Sequence, residues 1–152
     1  MRRSEKEITD AAEIAAVLQR APVCRVAMCD GARPYVVPMC FGVEDRVLYF
    51  HAATEGLKLD ILRANPWVCI ECDLDVAVLP AEQSCGIGMR YRSVIGHGRA
   101  VFLDDPAAKR HALAAIVRHY ADHVTEMPDA ALLRTTVFQV ELESVTGKQG
   151  GF

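Results

Sequence analysis

The stretch Phe50-His51-Ala52-Ala53-Thr54-Glu55-Gly56-Leu57-Lys58 carries a histidine at the end of an apolar run and a lysine in the first turn of the helix that follows. Unpaired backbone N–H groups at a helix start, with the positive end of the helix dipole, favour an anion. A lysine in that same turn is electrostatically out of place unless something negative offsets it. A bound phosphate would do so, and so would a surface pairing with Glu55. His51 is either a satisfied structural histidine or a group that moves a proton near its ordinary pKa of about 6.5. Arg92 and Ser93, far along the chain, add a cation and a hydroxyl if their strand passes close by. Otherwise they are an exposed arginine and a serine in a sheet wall.

Other spacings carry less chemistry. His119 and His123 stand at i and i+4, as metal ligands do on a helix, but no third ligand is evident and the H-E-x-x-H glutamate is missing. Cys69-Ile70-Glu71-Cys72 has C-x-x-C spacing inside an apolar run, and on a strand residues three apart face opposite ways. The six cysteines are read as reduced thiols, mostly small buried hydrophobes, with Cys24 beside Arg25 the one near a cation. No dinucleotide fingerprint, Walker A loop or nucleophile elbow is present.

The elements that must position these residues alternate between the two periods. Asp10 and Glu13 have the spacing of a capping pair, and Ile14, Val17, Leu18 and Ala21 share the helical face behind them. Residues 23–52 read as a three-stranded meander with turns at Asp30-Gly31 and Glu44-Asp45. Thr54 is placed to cap a short helix burying Leu57, Ile61 and Leu62, stopped by Asn65-Pro66. Trp67 to Cys72 is a fourth strand, whereas residues 73–88 show no clean period. In the strand Arg90 to Leu103, Gly96 and Gly98 share one face, which signals a sharp bend or close approach of the kind a barrel requires. Asp105-Pro106 opens a helix with a stripe of Ala112, Leu113, Ile116, Val117 and Tyr120, and Thr136 to Val145 alternates as a half-buried strand. Strands not regularly separated by helices disfavour a doubly wound sheet. The expectation is a mainly β chain, a small antiparallel barrel with peripheral helices.

Composition sets the outer bounds. At 152 residues, 51% hydrophobic and 24% charged, the chain reads as a single domain, residues 1–152, with enough apolar material for its own core. A net charge of −3 argues against a nucleic-acid partner held by a basic face. The longest run without a charged residue, Pro34 to Val43, is ten residues, well short of the roughly 20 a membrane helix needs. The start, Met1 to Glu7, has no apolar segment behind it, so a cytoplasmic location is expected.

Taken together, several short segments resemble the pyridoxamine 5′-phosphate oxidase-like, FMN-binding split-barrel superfamily, and within it the Nim-type 5-nitroimidazole resistance proteins. They are Met1-Arg2-Arg3, Val23 to Met28, Arg33 to Met39, Leu48 to Ala53, Gly56-x-Lys58, Arg63 to Pro66 and Gly88 to Ala100, with Val145 to Lys148 as a weaker tail. The resemblance implies a six-stranded split β-barrel working as a homodimer, with FMN in a groove between subunits. It implies that Val36, Val37, Pro38 and Met39 support the flavin, mainly through backbone groups. His51, Ala52 and Lys58 would hold the ribityl phosphate end, and Arg92 and Ser93 would line the flavin site from one subunit or the other. Val43 and a position near Ile87 depart from the aromatic residues common in such chains.

The function expected on this basis is that of an FMN-dependent oxidoreductase. A nicotinamide or other donor reduces the flavin, which then reduces a small acceptor, with a nitroaromatic suggested by the resemblance. Lys58 would neutralise phosphate, and His51 would contact flavin or substrate and donate a proton. No metal is called for. The alternatives are a non-catalytic flavin- or heme-binding storage or sensing module and, last, a thiol redox sensor.

Overall fold

The computed structural model describes residues 3–124 and 127–152. Met1 and Arg2, the beginning of the first matching segment, lie outside the described residues. A two-residue strand β1 (Glu7–Ile8) precedes α1 (Ala11–Arg20). The chain continues through β2 (Cys24–Asp30), β3 (Arg33–Met39), β4 (Phe41–Glu44), β5 (Val47–Ala52), α2 (Leu57–Ala64), β6 (Trp67–Leu79) and β7 (Gly88–Leu103). It ends with α3 (Pro106–Tyr120), α4 (Asp129–Leu133) and β8 (Thr136–Gly150).

All the pairings are antiparallel, and the path through the sheet is β3-β2-β6-β7-β8-β5-β4, with β1 paired to β8. The six strands of six or more residues form the wall, and the edges β3 and β4 do not pair, so the barrel is split. This is the mainly β split barrel with peripheral helices that the strand pattern and the resemblance call for.

The inward face carries Val26, Phe41, Leu48, Phe50, Ile70, Cys72, Val94, Phe138 and Val140, each fully buried. Phe50 and Phe138 stack at 5.1 Å between ring centroids, which anchors the strand whose next residue is His51. Each such side chain contributes about 1.5–3 kcal/mol through burial. Curvature comes where the sequence places glycine. A Cβ on Gly96 would lie 2.9 Å from Leu142 Cδ2, and one on Gly98 would strike the Glu141 carbonyl oxygen. The β7–β8 register shifts at His97/Gly98, the bulge that turns the corner.

Several local expectations fail for identifiable reasons. The meander over residues 23–52 is instead two hairpins, β2–β3 and β4–β5, on opposite edges of the sheet, because Cys40 interrupts the long extended run. Thr54 does not cap α2. Its N-cap is Gly56 at φ 134°, without any side-chain hydrogen bond, and Leu57 is exposed while Leu59, Ile61 and Leu62 are buried. Strand β6 runs on to Leu79 through a bulge between Leu74 and Ala77, with Asp75 at φ 57°, which is why its period vanished in the sequence. Asp10 does cap α1, accepting from the Ala12 N–H at 2.8 Å.

Helix α3 closes a second apolar cluster, Tyr49, Ala112, Ala115, Ile116 and Val137, over the outer face of β5 and the start of β8. The outer face of β2, β3, β6 and β7 carries Val36, Val76, Val78, Met89 and Ile95, all more than 40% exposed. None of the helices among the described residues is long and apolar enough to cross a membrane.

Candidate functional site

Strand β5 delivers His51 to the foot of α2. Leu48 and Phe50 point into the core, so His51, one residue on, points outward opposite Val137, and half-buried Ala52 follows opposite Thr136. Four residues after Ala52 the chain turns through Gly56, whose φ of 134° is open to glycine and strained for other residues. Helix α2 then starts without a side-chain cap, and Lys58 is its second residue, half-buried. Among the described residues Lys58 has no carboxylate within 4.0 Å, so the Glu55 pairing is not made. Its ammonium and the His51 ring share one electrostatic environment. Partial burial first, and the Lys58 charge second, push the His51 pKa below its ordinary value. An uncapped helix start, an unpaired lysine and a histidine disfavoured as a cation form a locally positive site with no anion of its own. These residues fit the phosphate end of a flavin mononucleotide.

Strand β3 runs along the open edge. Val36 and Pro38 face outward, Val37 packs on the core and Met39 is buried. One side of this strand pairs with β2 along its whole length. Among the described residues no strand lies on its other side, so its backbone groups there are free to support a ligand, and Pro34 and Pro38 are at home on such an edge.

Arg92 and Ser93 stand on rows of the sheet other than that of His51. The row of His51 passes through Val137 to Leu103 on β7, and Ser93 lies ten residues farther along that strand. At roughly 3.3 Å per residue that is about 33 Å measured along the strand. The two neighbours also face opposite ways. Ser93 lines an outer depression of about 450 Å³ with Arg25, Glu71, Asp73, Val76, Met89 and Tyr91. Arg92 ion-pairs with Asp75, and its guanidinium carbon sits 3.8 Å from the centre of the Phe152 ring. Sequence reasoning missed both partners of Arg92. Asp75 fell in the unassigned stretch, and no local pattern marks Phe152.

The remaining chemical candidates have structural roles. Arg25 bridges Glu71 and Asp73 across β2 and β6, a trio set by cross-strand register. His119 Nε2 lies 2.8 Å from the Ala21 carbonyl oxygen and its ring packs tilted against Phe41 at 4.3 Å between centroids, while His123 lies beyond the end of α3. The cysteines correct the expectation of mostly buried thiols: Cys24 and Cys72 are buried, Cys69 is half-buried, and Cys29, Cys40 and Cys85 are exposed. A hydrogen bond with Cys72, and burial, raise the Cys24 pKa far above the ordinary thiol range despite Arg25 next door. That opposes the thiolate a redox sensor requires.

Comparison with known proteins places the family and the fold. The family model for pyridoxamine 5′-phosphate oxidase matches residues 10–149. The crystal structure of a candidate 5-nitroimidazole antibiotic resistance protein from Bacteroides thetaiotaomicron VPI-5482 is 36% identical, covering 94% of this chain and 86% of that one, with a TM-score of 0.85. A flavocytochrome from Azotobacter vinelandii, 20% identical, covers all of this chain and 72% of its own at a TM-score of 0.87. A FAD- and heme-binding protein from Mycobacterium smegmatis, also 20% identical, covers 97% and 74% at 0.86. At that identity the last two bear on the fold alone. No curated protein matches the sequence. With nearly its whole length matched and its split barrel shared, the chain belongs to the pyridoxamine 5′-phosphate oxidase family.

Proposed function

We propose that the chain binds FMN in a groove completed by a second copy of itself and works as an FMN-dependent oxidoreductase. The observation that carries this is the uncapped start of α2 with Lys58 unpaired beside His51. Lys58 and the free N–H groups of the first turn bind the phosphate, and the free edge of β3 at Val36 to Met39 supports the ring system through its backbone. The bare outer face with Val36, Met89 and Ile95 supports pairing of two copies, since an exposed apolar surface of this kind marks an association site. Ser93, which lines a depression of the outer face with Arg25 and Met89, would border the groove from one copy or the other.

Bound FMN would supply the electron chemistry, accepting from a nicotinamide donor and passing to a small aromatic acceptor. A nitroaromatic acceptor is supported by the 36% identity to the Bacteroides protein. His51, held neutral at pH 7 by its lowered pKa, orients flavin or acceptor by hydrogen bonding, and it delivers a proton only once a nearby anion restores its basicity.

Stopped-flow mixing of the FMN-loaded, reduced protein with a 5-nitroimidazole tests the activity. Acceptor-dependent reoxidation is expected. Reoxidation at the same rate without acceptor would reduce the function to flavin binding.

A further inference from the structure

A second cationic site lies at the opposite end of β7 from Lys58. Arg92 ion-pairs with Asp75 there, and Arg20, in the last turn of α1, approaches the same carboxylate at 3.7 Å. Arg90 stands 5.8 Å from the centre of the Phe152 ring, whose face also covers Arg92 at 3.8 Å. Among the described residues, Asp75 is the one carboxylate within 4.0 Å of any of these three guanidiniums. Three positive charges thus share one negative charge, in a chain whose net charge is −3.

The backbone is arranged to hold this group. Asp75 adopts φ 57° inside a strand bulge rather than in a hairpin turn, an uncommon conformation for a residue with a side chain. Gly151 adopts φ 82°, and a Cβ there would lie 2.8 Å from Arg90 Cα, so only glycine lets the chain return and lay Phe152 against the arginines. The Arg20 side chain is 60% exposed and Phe152 as a residue 63% exposed, so both are accessible to a ligand.

We infer that Arg20, Arg90, Arg92 and Phe152 form a binding site for a nucleotide phosphate. Guanidiniums recognise phosphate oxygens through paired donors, and an exposed aromatic face stacks a base. Asp75 keeps Arg92 in place and is shared with Arg20 at 3.7 Å, while Arg90 has no carboxylate within 4.0 Å among the described residues, so the group as a whole lacks negative charge. This inference rests on the proposed oxidoreductase function in one respect: a nicotinamide dinucleotide donor belongs to the ligand class the site would take.

The test uses flavin-free protein titrated with ADP at low salt, followed by calorimetry, with adenosine as the uncharged comparison. ADP is expected to bind and adenosine to bind at least tenfold more weakly. Arg20→Ala, Arg90→Ala and Phe152→Ala should each weaken ADP about tenfold, and Arg90→Lys should recover part of that loss. Absence of ADP binding, or equal affinity in the parent and all three alanine variants, would overturn the inference. Competition by FMN, with FMN weakened by the same three variants, would overturn it as well, by making this the flavin's own phosphate end. A parallel FMN titration separates the two readings. Failure of FMN to bind, with ADP binding intact, overturns the flavin assignment and upholds the arginine site.

Discussion

Replacing Lys58 with alanine is the sharpest perturbation of the phosphate site. Lys58 is half-buried, in the first turn of a helix that no side chain caps, and without a carboxylate within 4.0 Å among the described residues. Its ammonium therefore has no internal interaction to lose, and the cost of removal appears in ligand binding. A charge-assisted hydrogen bond contributes roughly 1.5–3 kcal/mol, so FMN affinity should fall about 10- to 150-fold. Riboflavin, which lacks the phosphate, should bind both proteins equally. Fluorescence quenching of each flavin on titration with protein measures both constants. The variant should fold normally, because Leu59, Ile61 and Leu62, not Lys58, bury α2 against the barrel. Equal FMN affinity in parent and variant, or equal losses for FMN and riboflavin, would refute the assignment of Lys58 to phosphate.

Three further outcomes follow from the same structure. His51 has a folded pKa below 6.5, lowered by partial burial and then by Lys58. The unfolded chain therefore binds the proton more readily, and stability falls as pH drops below about 6.5. Lys58→Ala should raise the His51 pKa and shallow that loss, as read by NMR titration, and an unmoved pKa would contradict their proximity. Gly42→Ala puts a Cβ 2.5 Å from the backbone of Ala115 and Ile116, so α3 must shift off β4, at a cost of about 1–3 kcal/mol in chemical denaturation. Phe138→Ala removes a fully buried ring stacked on Phe50 and should cost about 3–5 kcal/mol, with a loss below 1 kcal/mol contradicting its place in the core.

The legible parts of this fold were those where a residue type is demanded by geometry. Gly96 and Gly98 announced the barrel corner because both lie where a Cβ would meet a neighbouring strand. Asp10 and Asp105 announced their helices because each side chain caps one. The β6 bulge was hidden because one strained aspartate, Asp75, reverses the side-chain alternation after it. The splitting of residues 34–44 into strands on opposite edges was hidden as well, since Cys40 carries no turn signal and the pairing is set by partners far away in sequence. At the site, His51 and Lys58 could be placed together because a short strand–turn–helix connects them. The distance from them to Ser93 could not, since it depends on the register of β7, β8 and β5.

Titration of the purified protein with FMN, followed by the absorption spectrum, tests the central claim most directly. A shifted and resolved flavin band that saturates at one FMN per chain and is retained on desalting is expected. An unshifted flavin spectrum with all FMN lost on desalting, or a Soret band acquired with heme in its place, would contradict it.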